Sequence, residues 1–280
     1  MASSTTSAGV AATPRFVLRA QGRLSSNAGL HPRPWLARLH RALREDAFTL
    51  HYQPIVALGD GAVAHHEALV RLADEPHGRL VAPAAFLPAA ERYGLVRAID
   101  RLVVSRVVAV LGEASTGLTS RPRSVALNLS ALSITDRGML AHIEHELVRH
   151  SVDPARLVVE ITETAAISDM RRAQAFCEGI EALGCAIALD DFGVGFGSLY
   201  YAKRLPFSYL KIDGDFVREL PSSRNDRLLV RAIVDVARGM GRETIAEFVG
   251  DQDTVELLRE LGVDYAQGFH IGRPAPLAVA

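Results

Sequence analysis

The sequence has little of what marks a secreted or membrane-embedded chain. Its two cysteines, Cys177 and Cys185, are too few for a disulfide framework, and nothing near them completes a zinc-ligand set. Both read as small core residues in a reducing, cytoplasmic setting. No apolar run approaches the roughly 20 residues of a bilayer-spanning helix, and the longest blocks, such as Leu102–Leu111, are interrupted by polar residues. One-sided charge is also missing: 31 Lys and Arg against 32 Asp and Glu leave a formal net charge of -1. Such a chain has no overall attraction for DNA or an anionic membrane, so an anionic ligand must be held by a local site. Acidic residues are absent from positions 1–34, which are rich in Ser, Thr, Ala, Gly and Pro. That stretch lacks the apolar core of a secretory signal. It reads as a disordered linker, one end of a longer parent protein, ahead of a single domain over 35–280.

What is present is alternation. Apolar residues at Trp35, Leu36, Leu39 and Leu43 share one helical face. Strand patterns follow in FTLHYQPIVAL and VAHHEALVRL, then helical stretches from Pro83 to about Gly112. SVALNLS leads to a helix over 138–150, LVVEITE to one over 169–183, and CAIALDD to a short one from Ser198. SYLKID precedes a helix over 226–239, ETIAEFV one over 252–261, and DYAQGF closes the series. Strands alternating with helices imply parallel strands joined by crossovers. Eight strand candidates beyond Pro34 match an α/β fold of about 250 residues, the (β/α)8 barrel. No clear helix separates the first two strands. An antiparallel opening pair is expected, which makes the barrel TIM-like but irregular.

The polar residues fall at the ends of these apolar runs: Asn128, Glu160, Asp190 with Asp191, Lys211, Glu247 and Gln267, while Glu67 and Arg71 lie along the second strand. Parallel barrel strands place their C-terminal ends on one face, where barrel enzymes build their active sites. Each residue alone could be a helix cap, a turn residue or a surface side chain. Together they gather Glu67, Glu160, Asp190, Asp191 and Glu247 around one amide, and mutual repulsion would protonate them or unfold the site. Hard divalent cations resolve this, and all-oxygen ligands select Mg2+ or Mn2+ over zinc. Adjacent His65 and His66 face opposite sides of a strand and read as structural; nothing in the spacing makes His270 a ligand.

In order along the chain stand YQPIV, Glu67-Ala68-Leu69 extended to Val70-Arg71, NLS, EITE, DDFGVGFGSL, LKID, AEFV and QGFHIGRP. From about Trp35 to Pro276 the chain thereby resembles the EAL domain of cyclic di-GMP phosphodiesterases. The resemblance implies hydrolysis of cyclic di-GMP to linear 5′-pGpG by two-metal activation of water, with two Mg2+ or Mn2+ per active site. Glu67, Asn128, Glu160, Asp190, Asp191 and Glu247 are then the metal ligands, with Asp190 shared between both sites. Lys211 stands beside the attacking water and, with Glu67, Asp190 and Glu247, forms the catalytic set. Gln53, Leu69, Arg71, Asp213 and Gln267 fall on the substrate side, and Glu163 anchors the loop after the double aspartate. That loop also implies a homodimer, and the resemblance leaves room for a sensory or GGDEF domain upstream. The chain departs from the family pattern where Gly250 replaces a second glutamate and Val194 a threonine. Two rival classes are a catalytically silent cyclic di-GMP receptor and, more remotely, a barrel lyase or enolase-type enzyme.

Overall fold

In the strand Val125–Leu129, VALNL, alternate residues face opposite ways. Val125, Leu127 and Leu129 join the large apolar core between strands and helices, whereas Ala126 packs with Val158 and Ala188 in a separate small cluster. The neighbouring strands repeat this division, so each has an outer apolar face and an inner face of small or polar residues. A sheet patterned this way must cover its outer face with helices and close on its inner one.

The computed structural model describes residues 32–74, 79–114, 122–193 and 202–277. The expected linker, apart from its last three residues, lies outside the described residues, as do Val194 and the short helix expected from Ser198. Helix α1 (Pro32–Arg44) leads into β1 (Phe48–Ala57) and β2 (Val63–Asp74). Next come β3 (Arg79–Val81), α2 (Pro83–Arg92) and α3 (Val96–Ala114). Strand β4 (Val125–Leu129) is followed by α4 (Ala131–Ile134) and α5 (Arg137–Arg149), and β5 (Leu157–Thr162) by α6 (Glu163–Ser168) and α7 (Met170–Ala182). Then come β6 (Ala186–Phe192), β7 (Tyr209–Ile212), α8 (Gly214–Val217), α9 (Arg224–Gly239), β8 (Glu243–Ala246), α10 (Gln252–Leu261) and β9 (Tyr265–Gln267).

The sheet runs β1-β9-β8-β7-β6-β5-β4-β2-β3, and β1 also pairs with β2, which closes eight strands into a ring. Strand β1 is antiparallel to both its neighbours, and the other ring pairings are parallel. The irregular barrel read from the sequence is therefore the observed fold. The ninth strand, β3, was not expected; it pairs only with Leu72–Asp74 at the far end of β2, outside the ring. Inside the ring, His65, Tyr209 and Tyr265 pack edge-on at centroid distances of 5.1 to 5.9 Å and fill the floor. The small side chains of Ala126, Val158 and Ala188 occupy the layer above. The polar residues are left for the opposite, C-terminal mouth. Both cysteines are buried, and burial pushes their thiols up to about 12.

Candidate active site at the C-terminal mouth

Lys211 faces inward from β7, one step above Tyr209, and it is 1 % exposed. Its ammonium donates to Glu160 Oε2 at 2.7 Å and lies 2.8 Å from Glu247 Oε1, 3.2 Å from Asp190 Oδ1 and 3.9 Å from Glu67 Oε2. Burial alone would lower its pKa, but Asp190, Glu160, Glu247 and Glu67 reverse this and hold it well above the usual lysine range. The carboxylates respond in the opposite sense. Burial, then the charges of Asp190 and Glu67, push Glu247 up to about 8 against the pull of Lys211. Glu160, fully buried, is raised first by burial.

The remaining acids are placed by local backbone devices. Register aligns Asn128 with Glu160 and Thr162 with Asp190, so the strand-end residues step around the mouth as the barrel's stagger requires. Adjacent residues of a regular strand cannot share a face. The β6–β7 register breaks between Leu189 and Phe192, and Asp191 takes a left-handed φ of 56°. This kink brings Asp191 to the same mouth as Asp190, whose Oδ1 accepts from the Asp191 amide at 3.0 Å. Ligand oxygens of Asp190, Asp191 and Glu247 all lie within 4.8 Å of one another. Burial, the charge of Asp190 and a bond to the Asp213 carboxyl push Asp191 up to about 7.

Glu67 is clamped from two sides. Asn128 Nδ2 donates to its Oε1 at 2.7 Å, and Gln267 Nε2 donates to its Oε2 at 2.5 Å. Gln267 also donates to Gln53 Oε1 at 3.2 Å, and Gln53 donates to the Gly272 carbonyl at 2.9 Å. Both glutamines are fully buried, so they sit beneath the mouth as props for Glu67 and present no open face. Leu69 and Arg71 continue the inward face of β2 half-exposed, and Arg71 donates to its neighbour's carbonyl, Val70 O, at 3.0 Å. Asp213 caps α8 through the Asp215 amide at 2.6 Å. Glu163 is buried at the start of α6, while most of the loop it was expected to anchor lies outside the described residues. Asp251, one residue beyond the departure at Gly250, turns away to cap α10 through Thr254 N at 2.8 Å. His270 is exposed and approaches Gln252 Oε1 at 3.3 Å.

One supporting residue went unread in the sequence. Asp100 of α3 is buried and accepts from Ser130 N at 3.1 Å, Ser130 Oγ at 2.7 Å and Ser133 Oγ at 2.6 Å. It ties down the turn two residues beyond Asn128. A single aspartate in the apolar run AIDRLVV was the available signal.

The donor set fits divalent cations. Four carboxylates surround one ammonium and Asp191 joins two of them, their oxygens are hard ligands, and buried Glu160 Oε1 has no hydrogen-bond partner among the described residues. Fold and mouth define a class: a largely parallel α/β barrel whose C-terminal face carries an acidic cluster that fits cations. Within that class the chain belongs to the EAL domain family, whose model matches residues 36–274. It is 40% identical over 245 residues to cyclic di-GMP phosphodiesterase PdeB of Shewanella oneidensis, covering 87% of this chain and 28% of the relative. To cyclic di-GMP phosphodiesterase PdeF of Escherichia coli it is 34% identical over 241 residues, covering 86% and 32%. The chain thus spans about a third or less of the length of these curated relatives. Among solved structures, the PaMucR phosphodiesterase in complex with c-di-GMP superposes with a TM-score of 0.81 at 37% identity, covering 87% of this chain and 98% of that one. The Xanthomonas citri FimX EAL domain in complex with c-diGMP gives 0.80 at 31% identity, covering 88% and 95%.

Proposed function

We propose that this chain is a metal-dependent phosphodiesterase that hydrolyses cyclic di-GMP to linear 5′-pGpG. The observation that carries the reading is Lys211, buried among Glu160, Glu247, Asp190 and Glu67 at the one face where a barrel builds its chemistry. Relatives named cyclic di-GMP phosphodiesterases and neighbours holding c-di-GMP support the substrate.

Glu67, Asn128, Glu160, Asp190, Asp191 and Glu247 would hold two Mg2+ or Mn2+ ions. When bound, such a pair supplies positive charge that favours a nucleophilic oxygen and a departing alkoxide at neutral pH. Lys211 keeps its proton throughout, orients the attacking water and offsets negative charge growing on the phosphoryl oxygens. Glu67, held at both oxygens, keeps its orientation while the ligand exchanges. Arg71 and Leu69, half-exposed along β2, are assigned to the phosphate and guanine side of the substrate, with Asp213 at the opposite rim. Gln53 and Gln267 support that side from below.

The same reading places the chain in the cytoplasm as a homodimer, within a parent that carries a sensory or GGDEF domain upstream. Chromatography of cyclic di-GMP incubated with purified chain and Mg2+, Mn2+ or Ca2+ tests the activity. Formation of 5′-pGpG that stops on adding EDTA is expected; tight binding with no product under any cation would overturn the enzyme in favour of a receptor. Lys211→Ala and Glu67→Ala are each expected to lower turnover by at least about 100-fold, and full activity in both would refute the assigned roles.

A further inference from the structure

Phe248 follows Glu247 directly at the exit of β8, and its φ of 56° lies in the left-handed region that a side chain disfavours. Such a backbone persists only where its surroundings over-determine it. The surroundings here are specific. The Phe248 ring sits over Gly214, where an added Cβ would overlap it. The Arg218 guanidinium stacks on that ring 4.0 Å from its centroid and is itself paired with Asp215 at 2.6 Å. On the other side, an added Cβ at Gly268 would overlap the Val249 backbone. Val249 N donates to Gln267 O at 3.0 Å and His270 N to Val249 O at 3.1 Å, while Glu247 N donates to Ile212 O at 3.2 Å. The segment 247–249 is therefore wedged between the exits of β7 and β9.

Phe248 is half-buried and stands outside the main apolar core, so filling the interior is not its role. We propose that Phe248 is a positioning residue for the cation site: its ring, seated over Gly214 and under Arg218, locks the turn that aims Glu247 at Asp190 and Asp191. The inference rests on the reading of the mouth as a cation site, and goes beyond it by assigning the geometry of one ligand to a side chain that touches no ion.

The test is Mn2+ titration followed by electron paramagnetic resonance on the cation-stripped wild type, Phe248→Ala, Phe248→Tyr and Gly214→Ala, with circular dichroism of each. Removing the ring, or pushing it off its seat, is expected to weaken Mn2+ binding about 10-fold. Phe248→Tyr, which keeps the ring, should bind like the wild type. If one of the two disruptive variants does not fold, the other decides. Wild-type Mn2+ affinity in either folded variant overturns the inference, and so does loss of folding in both, which would make the ring a support of the whole domain. A wild type that takes up no Mn2+ overturns the functional reading and this inference with it, whereas normal wild-type binding beside unaltered variants overturns the inference alone.

Discussion

Lys211 sits where a lysine is stable only because acids surround it, and those acids are tolerated partly because it is there. The balance is incomplete in the cation-free protein, which has consequences for pH. Glu247 is pushed up to about 8 and Asp191 to about 7, both above their unfolded values. The folded state therefore binds more protons than the unfolded chain between about pH 4 and 8. The contribution of these two groups to stability is fully present below their unfolded pKa and is lost as pH rises through 7 and 8. Thermal melts of EDTA-treated protein from pH 5 to 8.5 are expected to show that decline, and excess Mg2+ or Mn2+ is expected to remove most of it. A melting temperature that climbs across this range without cations would contradict the geometry. The charges themselves were legible in the sequence, because a carboxylate ending an apolar strand announces its position on the barrel. Which of them touch was not. The clamp of Asn128 and Gln267 on Glu67, and the kink at Asp191, depend on rotamers and on a one-residue register break that no pattern of apolar residues encodes.

At the scale of elements, the turn after β4 shows how a helix can serve a strand end. Asp100 of α3 accepts three hydrogen bonds from Ser130, which caps α4 two residues beyond Asn128, and from Ser133 within it. Asp100→Ala takes the acceptor from the buried Ser133 hydroxyl and the half-buried Ser130 donors and is expected to cost about 1–3 kcal/mol in urea unfolding; a loss under about 0.5 kcal/mol would show the carboxylate to be dispensable. Helix boundaries were readable where their caps are in the sequence. The span Gln252–Leu261 was expected and found, because Asp251 caps its start and Gly262, at φ 82°, ends it. Strand β3 was not readable: three residues, Arg79–Val81, carry too little alternation to register, and only pairing with β2 makes them a strand.

For the whole molecule, closure of the ring depends on one short strand. Residues Tyr265–Gln267 of β9 bridge β8 to β1, and Ala275 adds a bridge to Tyr52. Removing residues 265–277 would open the barrel and expose the buried faces of β1 and β8 together. The truncated chain is expected to lose its cooperative melt, and a sharp transition near that of the full chain would show that closure is not needed. The barrel itself was legible because eight apolar runs recur at helix-sized intervals. The reversed first strand was legible because too few residues separate β1 from β2 to hold a crossover.

That reversal also decides where the chain first meets the mouth. Because β1 runs against its neighbours, the polypeptide enters the ring at Phe48, beside Leu72 on the rim, and descends to Ala57 at the floor. Partway down lies Gln53, whose amide props Gln267 and through it Glu67. The reversed strand is thus tied to a carboxylate of the mouth through two side-chain amides in series, those of Gln53 and Gln267.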